Sequence, residues 1–211
     1  MKKILLVLCL FSITFVSHAQ IIKIQGGTAI SKLQWSVGTN DVSVNKTFIG
    51  YAIFAGVDYC NTLFFNLSSN VGALRKGGKT NILIMDSLGF FTGKTVTPSF
   101  DYLSLNTTID LKYPTKENLY PFISIGPRCD FLVHKTWIDP ETIDKLQHVS
   151  VGLLVGGGVK YDVANLQFGA QAHYYVDFMP IAQWENTPDN SRSKISTRTF
   201  TVTASVGYKL H

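Results

Sequence analysis

Cysteine is scarce in this chain of 211 residues, with three in all and one of them, Cys9, inside the N-terminal apolar run. Only Cys60 and Cys129 remain in the body of the chain, so at most one internal disulfide could form. Helical hydrophobic periodicity is also missing. After residue 16 no apolar run approaches the ~20 residues that a membrane-spanning helix requires. No Pro/Ser-rich linker, charge block or low-complexity segment divides the chain, which leaves a single domain. A formal charge of +5 gives no sign of a nucleic-acid partner.

The first residues, MKKILLVLCLFSITFVSHAQ, combine two lysines, an apolar run from Ile4 to Val16 and the small-residue site Ser17-His18-Ala19. This pattern predicts a secretory signal peptide over residues 1–19 and a functional domain over 20–211. Cleavage would leave 192 residues and, without Lys2 and Lys3, a formal charge of +3. The run is too short for an anchor, and Cys9 lacks the small residues that precede a lipidated cysteine. If the exported chain enters a membrane, it must do so as strands.

Eight segments are rich in Val, Ile, Thr, Gly and aromatics and carry a period of two: 21–31, 47–59, 64–76, 102–113, 119–134, 149–161, 166–178 and 199–210. Most run 11 to 13 residues, the length a tilted strand needs to cross a bilayer and about twice that of an ordinary strand. Their connections alternate. Residues 60–63, 114–118 and 162–165 are short turns, while 32–46, 77–101, 135–148 and 179–198 are long loops. The implied fold is all-β, an eight-stranded antiparallel up-and-down transmembrane barrel with short turns and both termini in the periplasm.

The faces agree with this. In LQFGAQAHYYVDF (166–178), Leu166, Phe168, Ala170, Ala172, Tyr174, Val176 and Phe178 alternate with Gln167, Gly169, Gln171, His173, Tyr175 and Asp177. In a soluble sheet the apolar row would face inward, whereas in a membrane barrel it faces lipid. A turn at 162–165 is expected to pair Tyr161 with Leu166, Val155 with Ala172 and Gly156 with Gln171, matching like with like along the hairpin. A turn at 114–118 is likewise expected to pair Tyr113 with Leu119, Ser104 with Arg128 and Tyr102 with Asp130. Cys60 and Cys129 then stand tens of ångströms apart at ~3.3 Å per residue, too far for a disulfide.

The stretches YLSLNTTIDLKYP (102–114), LYPFISIGPRCDFLV (119–133), VGLLVGGGVKYDVANLQFGAQAHYYVDF (151–178) and TFTVTASVGYKL (199–210) resemble the PorT-like outer-membrane β-barrel proteins of Gram-negative bacteria. NVGALRKGGK (70–79) is similar to that family's third strand. The likeness covers nearly all of the chain through spacings of Gly, Tyr and Pro, without a catalytic signature. It implies an eight-stranded barrel in the outer membrane, in contact with its lipid, and says little about activity. Named members of the family are linked to protein secretion, but no residue here carries that role over, so other envelope or secretion proteins are expected only as candidate partners.

No catalytic, cofactor or metal site is expected. His173 is the one histidine securely inside a strand, and its expected hairpin neighbours Gly152, Leu154 and Gly156 carry no hydroxyl, while Ser150 falls opposite Asp177. A lipid-modifying enzyme with His173 as base is therefore the second hypothesis, and a transport or small-ligand barrel the third. The histidines lack ligand spacing, and Gly156-Gly157-Gly158 lacks the Lys-Ser/Thr of a phosphate loop. Inward charges are expected at Asp58, Lys76, Asp110, Lys112, Arg128, Asp130, Lys160, Asp177 and Lys209. With His173, the set Asp110, Lys112, Arg128, Asp130, Lys160 and Asp177 forms the expected polar network of the lumen, filled by its own side chains because eight strands leave little more room. The long loops are the expected seat of function, through an interaction role that assists a surface or secretion assembly. A helical turn is expected over 139–146, and Trp137 and Trp184 are candidate contacts.

Overall fold

The computed structural model describes residues 20–37, 40–42, 46–85, 91–113, 115, 118–136, 146–186 and 191–210. Its strands are β1 (Ile21–Val37), β2 (Asn40–Val42), β3 (Phe48–Asn61), β4 (Phe65–Gly77), β5 (Thr80–Met85), β6 (Phe91–Val96), β7 (Ser99–Lys112), β8 (Leu119–Thr136), β9 (Val149–Val163), β10 (Leu166–Asp177), β11 (Ala182–Asn186) and β12 (Ser191–Lys209). Eight of them, β1, β3, β4, β7, β8, β9, β10 and β12, pair antiparallel with their sequence neighbours. The barrel closes where β12 meets β1, from Ile21 opposite Lys209 to Val37 opposite Ser193. No open edge remains in the spanning wall, as a bilayer demands.

Alternation in sequence becomes alternation across the wall. Ile24 (66% exposed), Ile49, Ile53, Ile109, Ile123 (65%), Val155, Phe168 and Val202 point outward. Lys23, Asp58, Ser68, Lys76, Asp110, Arg128, Asp130 and Thr201 on the other face are buried. An exterior of isoleucine, valine and aromatics around a charged interior is stable only where the outside solvent is hydrocarbon.

Two expected registers need correction. The hairpin of β9 and β10 pairs Val163 with Leu166, so Val155 meets Tyr174, Ala172 meets Gly157 and Asp177 meets Gly152. The turn contains only Ala164 and Asn165, and Ala164 takes a left-handed φ of 50°. In the hairpin of β7 and β8, Ser104 lies opposite Asp130 and Asn106 opposite Arg128. Both registers differ from expectation by two residues, which preserves every side chain's face.

The strands also outrun the expected segments. β1 reaches Val37, and β12 begins at Ser191 rather than 199. Above Ile30 and Phe200 the outward row turns polar at Lys32 and Arg198, while Leu33 and Ile195 are buried inside. The pairing thus continues past the point where the apolar outer row stops. Short strands occupy parts of the long connections, with β5 and β6 forming a separate ribbon and β2 and β11 lying against β1 and β12. Trp137, the expected helical turn up to residue 145, and residues 1–19 lie outside the described residues. Trp184 lies in β11 opposite Ser193.

Candidate functional site in the barrel lumen

Two ion clusters occupy the interior. Toward the short-turn end, Lys23 Nζ stands 2.6 Å from Asp58 and donates to Ser68 Oγ at 2.6 Å. Lys160 Nζ reaches Asp110 at 2.7 Å and Asp58 at 3.6 Å, and Asn66 donates to Asp110 at 3.1 Å. Two ammonium groups thus share two carboxylates.

Toward the long-loop end, Lys76 Nζ donates to Asp130 at 2.7 Å and lies 3.7 Å from Asp177. The Arg128 guanidinium bridges the same two carboxylates, Asp130 and Asp177. Ser104 donates to Asp130 at 2.7 Å and Thr197 to Asp177 at 2.5 Å. Arg128 and Lys76 also lie against the Tyr175 ring, at 4.8 and 5.4 Å from its centre. Again two cations face two anions. Buried charges removed from bulk water persist only with such pairing.

Small residues on β9 make these contacts possible. Gly152 lies opposite Arg128 on β8 and Asp177 on β10, so the guanidinium reaches its carboxylate across an absent side chain. Gly156 likewise lies between Ser124 and His173. Ser124 Oγ and His173 Nε2 hydrogen-bond at 2.9 Å across it. The hairpin neighbours of His173 on β9 carry no hydroxyl. The partner comes from two strands away.

Between the clusters, an amide layer runs from Gln171 to Gln25 (2.6 Å), Asn70 (3.0 Å) and Asn106 (2.8 Å). It borders a polar cavity of about 20 Å³, room for a single water. At the long-loop mouth, Leu33, Phe100, Leu146, Ile181, Ala182 and Ile195 form a buried apolar cap. Ion pairs and amide bonds below and the apolar cap above occupy the lumen of the described residues.

Of the expected network, Asp110 and Lys160 meet in one cluster and Arg128, Asp130 and Asp177 in the other, while His173 bonds Ser124. Lys112 departs from it. Its ammonium sits at the short-turn rim, where it donates to Asn61 at 2.5 Å, and Lys209 pairs there with Asp162 at 2.8 Å. Lys23 went unrecognised as a member. The alternation of Ile22 and Ile24 with Lys23 and Gln25 was the signal that places it inside. Among the described residues no group of three or more His, Cys, Asp or Glu is arranged to hold a metal.

A closed eight-stranded wall, apolar outside and ion-paired within, defines an outer-membrane β-barrel protein. The chain is similar in fold to the outer membrane protein OprG from Pseudomonas aeruginosa, with 12% identity, 92% of this chain and 97% of that one covered, and a TM-score of 0.55. Neisserial surface protein A gives 14% identity, 90% and 97% coverage and a TM-score of 0.48. Outer membrane protein W of Escherichia coli gives 12%, 92% and 99%, and 0.47. No protein-family model matches the chain, and no curated protein does either.

Proposed function

We propose that this protein is a non-conducting outer-membrane barrel of the PorT-like kind, exported by a signal peptide over residues 1–19 that is then cleaved, whose long connections face outward and engage another envelope or secretion component. The observation that carries this reading is the filled lumen. Its four cations and four carboxylates are matched inside, and the apolar cap closes the mouth. With transport disfavoured, the outward connections are the surface left for recognition. Photo-crosslinkers placed at Thr95 or Gln183, followed by mild detergent extraction, should yield discrete protein adducts absent from a crosslinker at lipid-facing Ile123. Adducts at none of the loop positions would remove the interaction role.

The Ser124–His173 bond favours a second reading, an enzyme acting on lipid. The pair is enclosed within the lumen, whereas an acyl-chain substrate approaches from the membrane. His173→Ala followed by mass spectrometry of the outer-membrane lipids separates the readings. Altered lipid A or phospholipid would move the function to this pair.

A further inference from the structure

The lipid-facing rows of β1 and β12 run side by side as Ile24 opposite Val206, Thr28 opposite Val202 and Ile30 opposite Phe200. The next outward pair is Lys32 opposite Arg198, both exposed. Gln34 opposite Ser196 follows, with exposed Lys194 two residues farther along the outer face of β12. Two cations on directly opposed positions repel each other. Among the described residues neither has a carboxylate at ion-pair distance.

Elsewhere the wall treats an outward cation differently. Arg75, on the outer face of β4, is held by Asp101 through two bonds of 2.5 and 2.7 Å and stacks on Tyr51 at 5.1 Å. Tyr51 donates to the same carboxylate at 3.1 Å. One outward guanidinium is thus neutralised within the wall, while the Lys32–Arg198 pair meets no carboxylate among the described residues and stands immediately above an apolar row. Apolar surface directly below paired cations is the complement of a lipid whose acyl chains lie on the belt and whose phosphate sits at its edge.

We propose that Lys32 and Arg198 form a binding site for the phosphate of a phosphorylated glycolipid in the outer leaflet, with Ile30, Phe200 and Tyr174 opposite Phe200 receiving its acyl chains. The ammonium supplies a point charge and the guanidinium a planar fork, and a bound phosphate cancels the repulsion between them. The inference rests on the outward placement of the long connections proposed above. That placement is read separately, because Lys32→Cys in a Cys60→Ser/Cys129→Ser background reacts with an impermeant label on whole cells only if this end is outside.

Full-length protein is reconstituted in phosphatidylcholine vesicles containing lipid A, dephosphorylated lipid A or phosphatidylglycerol, and bound lipid is quantified after detergent extraction. Wild type should retain lipid A and release the dephosphorylated form. Arg198→Glu, which replaces the repulsive pair by an attractive one, should fold, melt no lower than wild type in phosphatidylcholine, and bind lipid A about tenfold more weakly or worse. Lys32→Ser/Arg198→Ser should lose binding in the same way without the added carboxylate. Retention of lipid A by both variants at the wild-type level overturns the site. Equal retention of phosphatidylglycerol, or an equal rise in melting temperature with inorganic phosphate alone, overturns the assignment to a phosphorylated glycolipid.

Discussion

At the scale of single residues, the interior depends on charge being matched where water cannot reach. Arg128 is 3% exposed and holds Asp130 and Asp177 together, with Lys76 as the only other cation beside them among the described residues. Arg128→Leu leaves two carboxylates for one ammonium and should cost about 3–5 kcal/mol in the unfolding free energy measured in micelles. Adding Asp177→Leu restores one anion for one cation, so the double variant should be more stable than Arg128→Leu alone. A double variant less stable than the single would show that packing rather than charge matching decides this site. Gly156 sets a steric limit beside it. A Cβ there would fall 2.1 Å from the Ala172 carbonyl oxygen and 2.6 Å from His173 Cδ2. Gly156→Ala should therefore destabilise the barrel by about 1–3 kcal/mol and displace His173 from Ser124, visible as a changed imidazole resonance. An unchanged resonance and melting curve would mean that the wall yields more readily than its backbone contacts indicate.

At the scale of strands and turns, the hairpin of β9 and β10 closes through Ala164 and Asn165, with Ala164 in the left-handed region that costs an L-residue about 1–2 kcal/mol. Ala164→Gly should remove most of that penalty and raise stability by about 1 kcal/mol in urea unfolding, less whatever the more flexible unfolded chain gives back. This turn also shows where sequence reasoning reached its limit. Four residues of turn character, Asp162 to Asn165, suggested a four-residue turn, yet Asp162 and Val163 extend β9 and pair with Gln167 and Leu166. Nothing in their composition separates the two lengths, and a slip of two residues leaves like facing like. Strand identity, the lipid-facing row and the inward charges other than Lys23 were legible because a period of two makes each residue declare its face. The Ser124–His173 bond and the Arg128–Asp177 bridge were not, because each spans a glycine on an intervening strand and depends on two registers at once. The extensions of β1 and β12 escaped for another reason. Their outer faces are polar, so hydrophobic alternation ends at Ile30 and Phe200 while the backbone ladder continues to Val37 and Ser193.

At the scale of the whole molecule, the barrel resembles a soluble protein turned inside out, with its polar groups gathered where a soluble domain keeps its hydrocarbon. Lys23, Lys76, Arg128 and Lys160 meet Asp58, Asp110, Asp130 and Asp177 in two separate clusters, and the amide layer between them borders space for one water. An ion entering from the short-turn side meets locked pairs at each level. One entering from the long-loop side meets Leu33, Phe100 and Ile195 first. Passage would require breaking buried ion pairs, with several kcal/mol of desolvation for each charge exposed, so thermal fluctuation cannot keep a path open. Purified protein in planar bilayers should accordingly show no steady conductance over a range of salt concentrations and voltages. Reproducible open channels would contradict the filled lumen. If Arg128→Leu changed their ion selectivity while leaving the unfolding curve in place, the inward charges would line a pathway rather than brace the wall, and a transport role would replace the one proposed here.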